Sequence, residues 1–122
     1  MLTADLRVET IEPGFAVAAL RGTHDVAAAG ELREQLSELV SRGDSIIVDL
    51  SSASFIDSSV LAVLVGTYKV ARDCGLGFAV VLDEATAPAV RRAFEATGLT
   101  QLFWVVSDRS DAVDAARRGQ LN

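Results

Sequence analysis

IIVDLSSASFIDSSVLAVLVGTYKVARD, residues Ile46–Asp73, decides how the chain folds. Its first five residues, Ile46 to Leu50, are short, β-branched and almost continuously apolar, the pattern of a central strand covered on both faces. Ser51 to Ile56 reads as a polar turn, and an apolar helix follows from Ser58 to about Asp73, closed by Gly75. The junction places Asp57, Ser58 and Ser59 at the front of that helix. On a helical wheel Leu61, Leu64, Tyr68 and Ala71 share one side, flanked by Val60 and Thr67, and this side is expected to face a sheet. The opposite stripe is Ser59, Ala62, Gly66, Lys69 and Asp73, small through its first turns and open to close approach by another chain. Gly66 costs up to about 1 kcal/mol relative to Ala inside a helix, which suggests a packing or contact reason for it.

Outward from this stretch, strands and helices alternate. Leu6, Val8 and Thr10 precede the turn Glu12-Pro13-Gly14, and Phe15 to Leu20 resumes an apolar run, which predicts an N-terminal hairpin. Arg21 to Asp25 reads as a loop whose Asp25 is placed to cap or precede a helix from about Val26, with Leu32, Leu36, Leu39 and Val40 inward and Gly43 as its stop. Gly77 to Leu82 is a further strand, Pro88 opens a helix that Gly98 ends, and Leu102 to Val106 is a last strand. Ser107-Asp108 then caps a helix over about Arg109 to Arg118. The order ββαβαβαβα predicts an α/β fold: a mixed, mostly parallel sheet of four to five strands with about four helices, its first strand antiparallel at or near an edge. In such sheets function gathers beyond the carboxyl ends of the strands, where both Asp25 and Asp57-Ser58 fall.

At 122 residues the chain is expected to form one domain over residues 1–122, burying about two-thirds of the surface its unfolded form exposes. The net charge of −6 disfavours direct nucleic-acid binding, and no apolar run reaches the ~18 residues of a membrane span. The N-terminus MLTADLRVET holds no signal-peptide run, so a cytoplasmic location is expected. The single Cys74 is expected to be a small buried or half-buried hydrophobe, and the single His24 a solvated loop residue, because neither has a second ligand to complete a metal set. No cofactor or metal is implied. With no nucleophile elbow, no phosphate-cradling Gly-rich loop and no base to activate Ser58, the chain reads as a binding protein rather than an enzyme.

Two readings of Asp57-Ser58-Ser59 stand at this point. Asp and Ser are favoured N-cap residues, since their side-chain oxygens accept from unpaired backbone N–H groups. The same junction suits a phosphorylation site: a phosphate there would add about −1.5 to −2 charges beside the positive end of a helix, where an anion is tolerated. The fold would survive; the surface would change.

Residues Ile46 to Leu64, read with the Gly22 to Asp25 loop, the Gly75 stop, Pro88-Ala89-Val90 with Phe94, and Gly98-Leu99, resemble the STAS domain. The resemblance is to its small bacterial members, the anti-sigma-factor antagonists (anti-anti-sigma factors). It implies a partner switch in transcription regulation. The unphosphorylated antagonist binds an anti-sigma factor that is also a serine kinase of the GHKL type, which frees a sigma factor. Phosphorylation of the first Ser after the Asp breaks that complex, and a metal-dependent Ser/Thr phosphatase restores it. By position this makes Ser58 the phosphoacceptor, Asp57 the neighbour that holds the turn, Ser59 a contact at the helix start and Asp25 a residue of docking or kinase recognition near Ser58; the small-residue stripe adds Ala62, Gly66 and Lys69 to the expected partner contacts, with Asp57. Two positions depart from the family pattern. Val60 stands where a Gly or other small residue is usual, adding bulk at the kinase's approach, and Thr23-His24 replaces the usual Glu-Leu. A phosphorylation-independent scaffold or transporter-accessory module of the same family is an alternative. A response-regulator receiver, also of about this length, is disfavoured by the missing acidic pair after the first strand and the missing Lys after the last.

Overall fold

In the computed structural model, which describes residues 4–120, the chain runs β1 (Asp5–Glu12), β2 (Phe15–His24), α1 (Val26–Ser41), β3 (Ser45–Ile56), α2 (Ser58–Asp73), β4 (Phe78–Val81), α3 (Pro88–Ala96), α4 (Leu99–Leu102), β5 (Trp104–Val106) and α5 (Arg109–Gly119). The five strands lie in their sequence order, with β1 antiparallel to β2 at one edge and all other neighbours parallel. This order differs from the 2-1-3-4-5 arrangement of receivers, which removes that alternative.

Alternation along the strands splits the core in two. Ala16, Ala18, Leu20, Ile46, Val48, Leu50, Phe78 and Val80 point to one face, where the apolar stripes of α1, α2 and α3 cover them. Phe15, Val17, Ile47, Ala79 and Val81 point to the other, and α5 alone meets them through Ala112, Val113, Ala115 and Ala116. The central strand is therefore buried on both faces, as its unbroken apolar run predicts.

The expected turn at Ser51 to Ile56 is not a turn. The strand continues to Ile56 because its backbone keeps pairing with β2, and β2 in turn extends through the expected loop to His24. Two irregularities absorb the polar stretch: Ala19 and Arg21 face Asp49 and Ser52, and Gly22 and Thr23 face Ala53 and Phe55, each adding one residue on β3. Gly22, at φ +79°, supplies the backbone conformation the second one needs. As a consequence His24 is 2% exposed rather than solvated, with Nε2 3.0 Å from the Arg21 carbonyl.

Three further expectations are corrected. Leu102 belongs to a one-turn helix, not to the last strand: Gly98 turns the chain at φ +72°, and the extra turn carries Leu99 and Phe103 into the core. That makes five helices among the described residues. Cys74 is exposed, because it is the C-cap of α2 and lies past the helix's buried stripe. Val60 is fully buried in the core, so its bulk stands inside the protein and not at a kinase's approach.

The face that α5 covers carries an ionic network built on one buried carboxylate, Asp49. Asp49, 7% exposed, accepts from the Ser51 amide and hydroxyl at 2.9 and 2.7 Å and from Arg109 Nε at 2.8 Å, while Arg109 Nη1 reaches Glu9 at 2.8 Å. Burial pushes the Asp49 carboxyl up, but the Ser51 hydroxyl and amide and the Arg109 guanidinium together hold it below the usual carboxylate range. A carboxyl depressed in the folded state stabilises above its unfolded pKa of about 3.9, and that contribution fades as the pH falls below it. Asp49→Asn is accordingly expected to cost about 1 to 3 kcal/mol at neutral pH and to flatten the acid limb of stability below about pH 4. Urea melts at pH 7 and pH 3 check this, and an equal loss at both values would contradict it.

Candidate functional site

The site lies where two parallel strands end side by side. His24 pairs with Ile56, and the Asp57 amide donates to the His24 carbonyl at 2.9 Å, so Asp25 and Asp57 leave the sheet as neighbours. Each opens a helix. The Asp25 carboxylate accepts from the Ala28 amide at 3.1 Å at the head of α1. Asp57 Oδ2 accepts from the Ser59 amide at 2.9 Å and from the Ser59 hydroxyl at 2.7 Å at the head of α2. The Ser59 hydroxyl and amide hold the Asp57 carboxyl below its ordinary range against a smaller opposing effect of desolvation.

These contacts separate two roles that the sequence leaves merged. Asp57 is the cap, and Ser59 is tied to it. Ser58, the first helical residue, is exposed, and its hydroxyl makes no hydrogen bond among the described residues. Two exposed apolar side chains belong to the same two strand ends, Val26 at 71%, directly after Asp25, and Phe55 at 45%, two residues before Asp57. Phe55 is hidden from sequence reasoning by the expected turn, since only a strand makes its outward direction legible. Val26 lies three residues before Ala29 and continues the spacing of the buried stripe Ala29, Leu32, Leu36 and Leu39, so helical period alone would have turned it inward; as the first residue of α1 it stays exposed.

Along α2 the structure splits the small-residue stripe. Ala62 and Gly66 are exposed and border a mainly apolar groove of about 400 Å³ between α1 and α2, whose far wall includes Arg33, Ser37 and Val40. Lys69 is exposed but lies outside that groove. A Cβ on Gly66 would meet nothing within 4 Å, so no packing within the chain requires glycine there. Gly66→Ala is therefore expected to stabilise the isolated protein by about 0.5 to 1 kcal/mol, read as a raised urea midpoint; a lowered midpoint would reveal a backbone need that this geometry lacks.

Among the described residues no group of three His, Cys, Asp or Glu side chains could hold a metal, and no helix is long and apolar enough to cross a membrane.

Comparison with known proteins gives a consistent set of similarities. A family model described as the STAS domain matches residues 8–112. The anti-sigma-B factor antagonist of Bacillus subtilis is 32% identical over 84 residues, 69% of this chain and 74% of that protein. An anti-sigma factor antagonist from Mycobacterium paratuberculosis superposes with a TM-score of 0.81 at 29% identity, over 94% of this chain and 95% of its own. The anti-sigma factor antagonist SpoIIAA in its unphosphorylated form does so with a TM-score of 0.77 at 25% identity, over 93% and 96% of the two chains.

Proposed function

We propose that this chain, which belongs to the STAS domain family, is an anti-sigma-factor antagonist switched off by phosphorylation of Ser58. The observation that carries the reading is the division of labour at the head of α2: Asp57 caps the helix and engages Ser59, which leaves the exposed Ser58 hydroxyl with no structural duty. The phosphoryl group comes from the partner, an anti-sigma factor with GHKL-type serine kinase activity that supplies the ATP site. In that step the Ser58 oxygen bonds to the γ-phosphorus, the bond to the ADP oxygen breaks, and the hydroxyl proton passes to a base of the kinase. A metal-dependent Ser/Thr phosphatase reverses the modification with water.

The unmodified face fits a protein partner. Val26 and Phe55 supply exposed apolar area at the ends of the strands that carry Asp25 and Asp57, and Asp25, Asp57, Ser59, Ala62, Gly66 and Lys69 form the rest of the contact. A phosphate at Ser58 gains from the positive end of α2, so the fold tolerates it. The partner does not: it would have to desolvate about −1.5 to −2 charges at the centre of an apolar contact.

Incubation with a candidate anti-sigma kinase and ATP, followed by mass-spectrometric site mapping, tests this. One phosphate on Ser58, absent from Ser58→Ala, is the expected result. Stable binding with no modification would move the chain to the scaffold branch of the family, and modification elsewhere would overturn the assignment of Ser58.

A further inference from the structure

We propose that the open half of the sheet's second face binds a small phosphate-bearing anion through Arg7, Arg21 and Arg109. The strand register builds this site. Arg7 stands opposite Ala19, which stands opposite Asp49, and in the next row Arg21 stands opposite Ser52. All of these positions belong to the face that α5 covers, but the buried residues of α5 begin at Ala112, one turn beyond Arg109. Past that point the sheet has no helix over it, and a groove of about 520 Å³ is left with Ala19 on its floor and Arg109 at its end.

Three guanidiniums line this groove with two carboxylates, Glu9 and Asp49, and Asp5, opposite Arg21 in the β1–β2 ladder and 3.5 Å from Arg7, adds a third beside it, so the groove is close to neutral on a chain whose net charge is −6. Their present contacts leave donors available. Arg109 is held by Asp49 through Nε and by Glu9 through Nη1, which fixes its plane and leaves Nη2 with no partner among the described residues. Arg7 makes only a loose 3.5 Å contact with Asp5, and Arg21 forms no ion pair among the described residues. Guanidinium forks match phosphate oxygens in pairs, and the exposed Ser52 beside Arg21 adds a hydroxyl. The groove is within the size range of small-ligand sites, and the acidic remainder of the surface repels a long polyanion, so the occupant is a compact molecule. This face lies across the sheet from α1 and α2, so such a site does not depend on the switch at Ser58.

Amide-resolved NMR titration with inorganic pyrophosphate, and separately with ADP, at constant ionic strength tests the inference. Saturable shifts centred on Arg7, Arg21, Ser52 and Arg109 at millimolar concentration are expected, tighter for ADP if the natural ligand is a nucleotide and equal if it is a free phosphate compound. Arg21→Ala should weaken binding about tenfold without changing the melting temperature, and Arg21→Lys should weaken it less. No saturable shift, shifts centred on Ser58 at the head of α2, or unchanged affinity in Arg21→Ala would each overturn the proposal.

Discussion

Ser58→Asp is expected to bind the anti-sigma partner about a hundredfold more weakly than the unmodified chain, while melting at nearly the same temperature. Both halves follow from the same geometry. An acid at the first position of α2 interacts favourably with the helix's positive end, so the folded state loses nothing. In the complex that charge must give up water against a fitted surface, a cost of several kcal/mol, of which about 2.7 kcal/mol is a hundredfold. Ser58→Ala separates charge from shape: it keeps binding within a few-fold and cannot accept phosphate. Calorimetric titration with a non-hydrolysable ATP analogue measures both variants. Equal affinity for the Asp variant and the native chain would mean that Ser58 lies outside the contact.

Gly77→Ala is expected to destabilise the fold by about 3 kcal/mol or more. Gly77 immediately precedes β4 and lies directly beneath α5. An added Cβ would lie 1.8 Å from the Ala116 carbonyl oxygen and 2.5 and 2.7 Å from the Ala116 carbonyl carbon and Cα, all of them backbone atoms that no rotamer change can move aside. The backbone of Gly77 is itself held: its amide donates to Ser45 Oγ at 2.9 Å, and its carbonyl accepts from the Ile46 amide at 3.0 Å. Relief therefore requires α5 to rise from the sheet, which exposes Ala112, Val113, Ala115 and Ala116 and the strand residues under them. A sharply lowered urea midpoint, with loss of protection in α5, is the expected result; an unchanged midpoint would show that α5 can move away from β4 at little cost. The contrast with Gly66→Ala, where the new methyl meets open space, isolates the steric effect from helix propensity.

Most of the architecture is legible in the sequence because hydrophobic period and capping chemistry agree there. Ile46 to Leu50 announces a doubly covered strand, Asp25 and Asp108 cap the helices that follow them, and Gly43, Gly75 and Gly98 all adopt the positive φ of a helix stop. The failures occur where tertiary pairing overrides local composition. Ser51 to Ile56 is polar enough to read as a turn, but its ladder with β2 keeps it extended, and that ladder also buries His24 and turns Phe55 outward. One extra helical turn, Leu99–Leu102, escapes because four residues carry no period. At the candidate site the residue types are plain in the string Asp57-Ser58-Ser59, but their division into cap and unengaged hydroxyl is a matter of which oxygen faces which amide. The approach of Gly77 to Ala116 is invisible for the same reason, since it joins segments far apart in the chain.

On the proposed reading, phosphorylation of Ser58 decides whether this chain can take an anti-sigma factor away from its sigma factor. Fluorescence anisotropy of a labelled sigma factor bound to the anti-sigma kinase, challenged with the unmodified chain and with the chain phosphorylated on Ser58, measures that directly. Release of the sigma factor by the unmodified chain, and none by the phosphorylated chain at the same concentration, is the result expected. Equal release by both forms would contradict the switch.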